Sequence, residues 1–250
     1  MSTRLSTTEG RDTAMLIKAG LTPGQARVLS HLARFRVSTM AVIQALMGID
    51  REAAKSMVRR LREHRPPLIA SAPLDATGRS YYFLTPASWA MFGAARSRKV
   101  KPLAPMPLMR HIGALLFCQR SSSREKLTER EFAERYPSLV ASDLENRWYY
   151  EDFEDDGQPK LGLIHVNCGG TPKSERHKFR ARIIGRRLEN HAWRVGLINP
   201  GGFAVAVLAA NAEKLAELRD ALELTWPEVT FRFEAVPELE AIRDFGGGSS

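Results

Sequence analysis

Apolar residues recur at helical spacing in three successive segments between residues 22 and 65. In TPGQARVLSHLARF, Thr22 is the N-cap, Pro23 takes the first helical position and Gln25 completes a capping box, while Val28, Leu29, Leu32 and Phe35 form an apolar face. Ser38 is placed to cap MAVIQALM, whose Met40, Ile43, Leu46 and Met47 are followed by Gly48 as a stop. Asp50 caps REAAKSMVRRLREHR, which ends at Pro66 and Pro67 because proline has no amide hydrogen for the helical ladder. The period then shortens to that of a strand: LIASAPL and SYYFLT flank the turn DATG and Arg79, which predicts a β-hairpin. Thr85 and Pro86 open a closing helix, ASWAMFG, that completes the core through Trp89, Met91 and Phe92.

Residues 95–110, ARSRKVKPLAPMPLMR, combine basic side chains with three prolines and read as a tether between a domain at 1–94 and another at 111–245. Beyond it, HIGALLFC is helical and Thr128 caps EREFAERY. WYYEDF and KLGLIHVN are strands about the acidic turn EDDGQP, and TPKSERHKFRARIIGRRLEN is a helix opened by Thr171 and Pro172. WRVGLI and FAVAVLAAN are expected as strands about NPGG, followed by the helix AEKLAELRDALEL and the strand VTFRFEAV. Residues 246–250, GGGSS, are a flexible tail. Nearly continuous apolar strands interleaved with helices predict a mixed sheet covered by helices, an α+β or α/β fold.

The 250 residues suit two cores, and 44% hydrophobic with 26% charged residues exclude wholesale disorder and filaments. No apolar run reaches the ~20 residues of a membrane span and the N-terminus carries no signal-peptide stretch, so a cytoplasmic, nucleoid- or plasmid-associated protein without a membrane partner is expected. Cys118 and Cys168 are too few for a disulfide framework or a four-cysteine zinc site. The net charge of +9 is unevenly divided: residues 1–110 hold 18 Lys and Arg against 6 Asp and Glu, a net +12, and residues 111–250 hold 19 against 22, a net −3. Such one-sidedness points to a polyanion partner for the first half.

The third helix sharpens that reading. Ala53, Ala54, Met57, Val58 and Leu61 share its packing side, while Arg51, Lys55, Arg59 and Arg62 fall within an arc of about 80° on a helical wheel. From Arg51 to Arg62 the helix spans ~16 Å, which a DNA major groove accommodates. Helix, helix, basic helix and hairpin, from Leu21 to Gly93, resembles the winged helix-turn-helix. The resemblance implies a third helix in the major groove and a wing, with Arg79 near its tip, against the phosphate backbone or minor groove of double-stranded DNA. Arg96, Arg98, Lys99 and Lys101 would add phosphate contacts from the tether, although a solvated tether has the same composition. In the second half, Lys178, Arg182 and Arg186 follow one line at i, i+4 and i+8 and offer a further phosphate-facing surface, unless they pair with neighbouring acids.

A hairpin, a helix, two strands, a helix and a strand resemble the restriction-endonuclease-like core, and joined to a winged helix they resemble the replication-relaxation family of plasmids and integrative elements. Active nucleases of this core place an Asp on the hairpin and a carboxylate-x-Lys triplet on the next strand to hold Mg²⁺ and activate water. The resemblance maps the Asp to Asp152 or Asp156 and the triplet to His165, Val166 and Asn167, so both expected charges are missing and the core is expected not to cut DNA. His165, Cys168 and His177 lack a fourth zinc ligand; Glu151, Asp152, Glu154, Asp155 and Asp156 are a solvated hairpin tip; Gly169 and Gly170 before Lys173 do not make a P-loop. No catalytic residue, metal or cofactor is therefore expected. The function expected is sequence-reading DNA binding in replication control, mobilisation or transcriptional regulation, with a homodimer and replication or mobilisation proteins as further partners. The alternatives are a metal-dependent nuclease with displaced catalytic residues and a protein-interaction adaptor.

Overall fold

The computed structural model describes residues 7–93, 101–141, 144, 147–153 and 159–247, and its chain divides into two units, Met1–Leu115 with Asp244–Ser250, and Leu116–Arg243. In unit 1, α1 (Thr7–Lys18), α2 (Pro23–Phe35), α3 (Met40–Met47) and α4 (Arg51–Glu63) precede a hairpin of β2 (Ile69–Pro73) and β3 (Ser80–Leu84), and α5 (Pro86–Met91) follows. The short β1 (Ser38–Thr39) pairs with β3 and completes a three-stranded antiparallel sheet in the order β1-β3-β2. This is a winged helix-turn-helix. Its caps are those expected at Thr22, Asp50 and Thr85, and Gly48 ends α3 at φ 62°, a conformation open to glycine at little cost.

Three local expectations are corrected. The cap of α3 is Thr39, not Ser38: Thr39 Oγ1 accepts from the Val42 amide, whereas Ser38 is buried in β1 beside His31. The periodicity beginning at Leu21 gave no hint of α1, yet Leu16 of that helix is fully buried and Thr13 reaches Ser30. On α4 the packing side is narrower than the wheel suggested, with Ala54, Val58 and Leu61 buried, Met57 partly buried and Ala53 exposed.

The segment read as a tether is helical from Pro105 onward, where α6 (Pro105–Gln119) buries Leu108 and Met109. Pro105 and Pro107 lie in its first turn, where the missing amide hydrogens have no helical acceptor to lose. Residues 94–100, with Arg96, Arg98 and Lys99, lie outside the described residues.

Unit 2 is built on a mixed five-stranded sheet in the order β4-β5-β6-β7-β8, with β4 (Arg124–Lys126), β5 (Tyr149–Asp152) and β6 (Lys160–Val166) antiparallel and β7 (Phe203–Ala209) and β8 (Thr230–Ala235) parallel to β6. The inner strand β7 is buried at every position, as its unbroken apolar run requires. Helices α7 (Glu129–Arg135) and α11 (Ala212–Glu223), and α12 (Glu238–Gly247) as far as Arg243, complete the order with the β6–β7 crossover. The expected long helix of that crossover is interrupted: α8 (Pro172–Lys178) runs into a π turn at Phe179–Ile183 before α9 (Gly185–Glu189). Gly185 permits the widening, since a Cβ there would lie 2.0 Å from the Arg180 carbonyl oxygen.

WRVGLI is not a strand. Asn190 caps α10 (His191–Trp193), and a second π turn covers Arg194–Ile198. A strand would have turned Trp193 and Val195 to one face, but Trp193 is fully buried against the stacked pair of Tyr149 and Phe132 and edge-on to Phe203, while Val195 is 46% exposed. Strand β4 and helix α12 were not anticipated either. Among the described residues no helix is long and apolar enough to cross a membrane.

Candidate nucleic-acid interface

The cationic row of α4 is set by the residues that hold the helix down. Ala54, Val58 and Leu61 anchor it in a core shared with Val28, Leu29 and Leu32 of α2, and Asp50 Oδ1 accepts from the Ala53 amide at 2.8 Å to fix its start. Arg51, Lys55, Arg59 and Arg62 are thereby left exposed. Among the described residues Arg51, Arg59 and Arg62 have no ion pair or side-chain hydrogen bond, whereas Lys55 is held by Glu52 at 2.7 Å. Arg60, which sequence reasoning passed over, emerges on another side of α4 and lines a cleft of about 220 Å³ with Thr22, Gln25, Ala53, Ser56 and Met57.

Arg79 is placed beside the wing turn as expected, but its charge is directed inward. Its guanidinium donates from Nε to Asp75 Oδ2 at 2.5 Å, and Asp75 Oδ1 accepts from the Thr77 amide and hydroxyl at 2.9 and 2.6 Å. Burial works against the Asp75 carboxylate, yet these hydrogen bonds and the Arg79 charge outweigh it and hold its pKa below the ordinary value. Arg79 therefore locks the turn, although 51% of its side chain remains exposed. Another buried titratable group of unit 1 is His31, which contacts Ser38 at 3.1 Å; burial, then the charges of Arg34 and Arg27, push its pKa down to about 3.

In unit 2 the expected row does not form as three open charges. Lys178 is paired with Glu175 at 2.6 Å and Arg186 lies 3.9 Å from Glu189, with the π turn between them; Arg182 alone is exposed with no partner among the described residues. A different face, Lys173, Arg176, His177 and Arg180, lines a cleft with Thr225. Its spacing was readable in the sequence and was masked by the neighbouring cations.

The nuclease mapping does not converge. Asp152 pairs in register with Lys160, so His165 lies five residues further along β6, roughly 16 Å at strand rise. Asp156 lies outside the described residues. Glu151 and Asp152 are not solvated at a hairpin tip, as expected, but buried: Asp152 accepts from Ser123 Oγ at 2.8 Å and pairs with Arg232 and Arg124, and Glu151 is held by Arg135 and by Tyr136 Oη at 2.9 Å. Asn167 bonds the Gly169 amide and the Gly170 carbonyl and closes the loop before α8. His165 Nε2 contacts Glu175 Oε2 at 2.6 Å, so α8 returns a carboxylate and a lysine to the place where β6 lacks them. Burial opposes ionisation of Glu175, but the His165 hydrogen bond and charge and those of Lys178 prevail and lower its pKa. No group of three or more His, Cys, Asp or Glu side chains that could hold a metal converges among the described residues.

No family model matches the chain, and no curated protein is significantly similar to it. Among solved structures the chain is similar to TrmBL2, an archaeal chromatin protein whose structure shows a novel mode of DNA binding, at 12% identity over 92% of this chain and 78% of that one, with a TM-score of 0.27. A superposition of that quality carries no argument, and the resemblance to the replication-relaxation family rests on architecture alone.

Proposed function

We propose that this protein binds double-stranded DNA through α4 of its winged helix, with Arg51, Lys55, Arg59 and Arg62 toward the major groove. The observation that carries the reading is the row of exposed arginines without an ion pair among the described residues on the third helix of a winged helix-turn-helix, in the half of the chain that holds the +12 charge. Control of replication, mobilisation or transcription on a plasmid or mobile element is the role we assign to such binding, with unit 2 as a scaffold that does not cut DNA. Support for the scaffold role comes from Asp152, whose oxygens are occupied by Ser123 and arginines far along the hairpin from His165.

The test is DNA binding by the full chain and by the Arg51→Ala/Lys55→Ala/Arg59→Ala variant over a range of salt. Each phosphate contact contributes about −0.9 to the slope of log affinity against log salt, so the variant should lose affinity and show a slope shallower by up to about 2.7. An unchanged slope would overturn the reading. A nuclease reading is favoured by one feature only, the meeting of His165, Glu175 and Lys178. Mg²⁺- or Mn²⁺-dependent cleavage of supercoiled DNA that disappears in Glu175→Gln would establish it.

A further inference from the structure

The crossover between β6 and β7 carries a second cationic surface. Lys173, Arg176, His177 and Arg180 follow at i, i+3, i+4 and i+7, which places them on one side of α8 and its continuation. With Thr225, just past the end of α11, they line an open cleft of about 300 Å³ whose described lining holds no carboxylate. All four are exposed, and among the described residues none has an ion pair or a side-chain hydrogen bond. Beside them Lys178 is neutralised by the buried Glu175. The fold thus cancels the charge on one side of this helix and leaves the other open. Beyond Lys178 the backbone widens into the π turn that Gly185 permits, a local departure found frequently at functional sites.

We infer that this cleft is a second DNA-contacting surface that grips the phosphodiester backbone without reading bases. The inference rests on the DNA-binding reading of unit 1. From Lys173 to Arg180 the row covers about 10 Å at helical rise, which corresponds to roughly three steps between successive phosphates of one strand at their ~3.4 Å axial spacing. The lining offers three Lys and Arg cations, the His177 imidazole and a hydroxyl, but no Phe, Tyr or Trp and no apolar side chain to clamp a base, so contact with the backbone is the recognition it fits. The competing explanation is internal: cations near Thr225 would complement the carbonyl end of α11.

The experiment compares four full-length proteins on a random-sequence duplex by fluorescence anisotropy over a range of salt. These are the unaltered chain, Lys173→Ala/Arg176→Ala/Arg180→Ala, the α4 triple alanine variant, and a charge-matched control, Arg130→Ala/Lys214→Ala/Arg243→Ala, whose cations are already paired with Glu134, Glu217 and Glu240. The cleft variant should bind about tenfold or more weakly at moderate salt, with a slope shallower by about 2 to 3, and the control should match the unaltered chain. A cleft variant that behaves like the control, while the α4 variant loses binding, overturns this inference and leaves the function proposed for unit 1 standing. Loss in the cleft variant with an unchanged α4 variant does the reverse. A lowered melting temperature with an unchanged slope assigns the cations to the end of α11 and also overturns the inference.

Discussion

In unit 1 the side chains of Arg51, Arg59 and Arg62 stand on the exposed side of α4 with no ion pair or side-chain hydrogen bond among the described residues, whereas in unit 2 the acids Glu151, Asp152 and Glu175 lie inside the protein, each held by at least two donors. The contrast is not one of composition, because unit 2 is also rich in arginine. It lies in where the opposite charges fall. Glu52 is the only acid in the first half of α4 and reaches only Lys55, while in unit 2 the strands bring Arg124 and Arg232, and helix α7 brings Arg135, from distant segments onto β5. Open charge is available to a polyanion, and charge paired in the interior is a structural commitment that costs stability when broken.

The strongest way to break the comparison is Asp152→Ala. It removes the buried carboxylate that Ser123 and Arg232 engage, while Arg124 keeps its ion pair with Glu234 at 2.6 Å, and should destabilise the protein by about 3 kcal/mol in urea denaturation. A loss below about 1 kcal/mol would mean that these charges are as well solvated as those of α4.

Acid separates the units next. The pKa of His31 is lowered on folding, so between about 6.5 and about 3 the unfolded chain binds more protons than the folded one. Stability is complete above pH 6.5 and falls by up to about 1.4 kcal/mol per pH unit below it. Glu175 in unit 2 also has a lowered pKa, but its contribution is intact above 4.5 and is lost only as pH falls further. Amide exchange read separately for the two units between pH 6.5 and 4.5 should therefore show protection falling first in unit 1, and His31→Gln should flatten that dependence. Equal loss in both units would remove His31 as the cause.

Arg79 sharpens the boundary between structural and available charge. Arg79→Ala should cost about 1 to 2 kcal/mol, since the Asp75 carboxylate keeps its Thr77 bonds but loses its cation. DNA affinity should change little. A variant of full stability that binds DNA more weakly would restore Arg79 to the phosphate-contacting role implied by the winged-helix resemblance. The smallest effect expected is a gain: Glu52→Gln frees Lys55 and removes a negative charge from the row, raising DNA affinity by a few-fold, about 0.5 to 1 kcal/mol. Weaker binding in that variant would show that Glu52 positions Lys55 instead of competing for it.

What the sequence by itself determined about this protein is local. Thr22 with Gln25, Asp50, Thr85 and Thr128 all cap the helices assigned to them, because a cap is a bond between a side chain and an amide two or three residues away. The exposed cations of α4 followed from helical period for the same reason. Tertiary structure decided whatever depended on partners distant in the chain. WRVGLI has the apolar content of a strand, but Trp193 is drawn into the stack with Phe132 and Tyr149, and the backbone follows it into a π turn. Acids that read as a solvated tip are buried because Arg135 and Arg232 arrive from elsewhere, and Lys178 left the predicted phosphate row because a buried Glu175 sits one turn away beside His165. Periodicity records which face of an element turns inward, but not which charges wait there: that is settled only when the strands pair and the helices cover them.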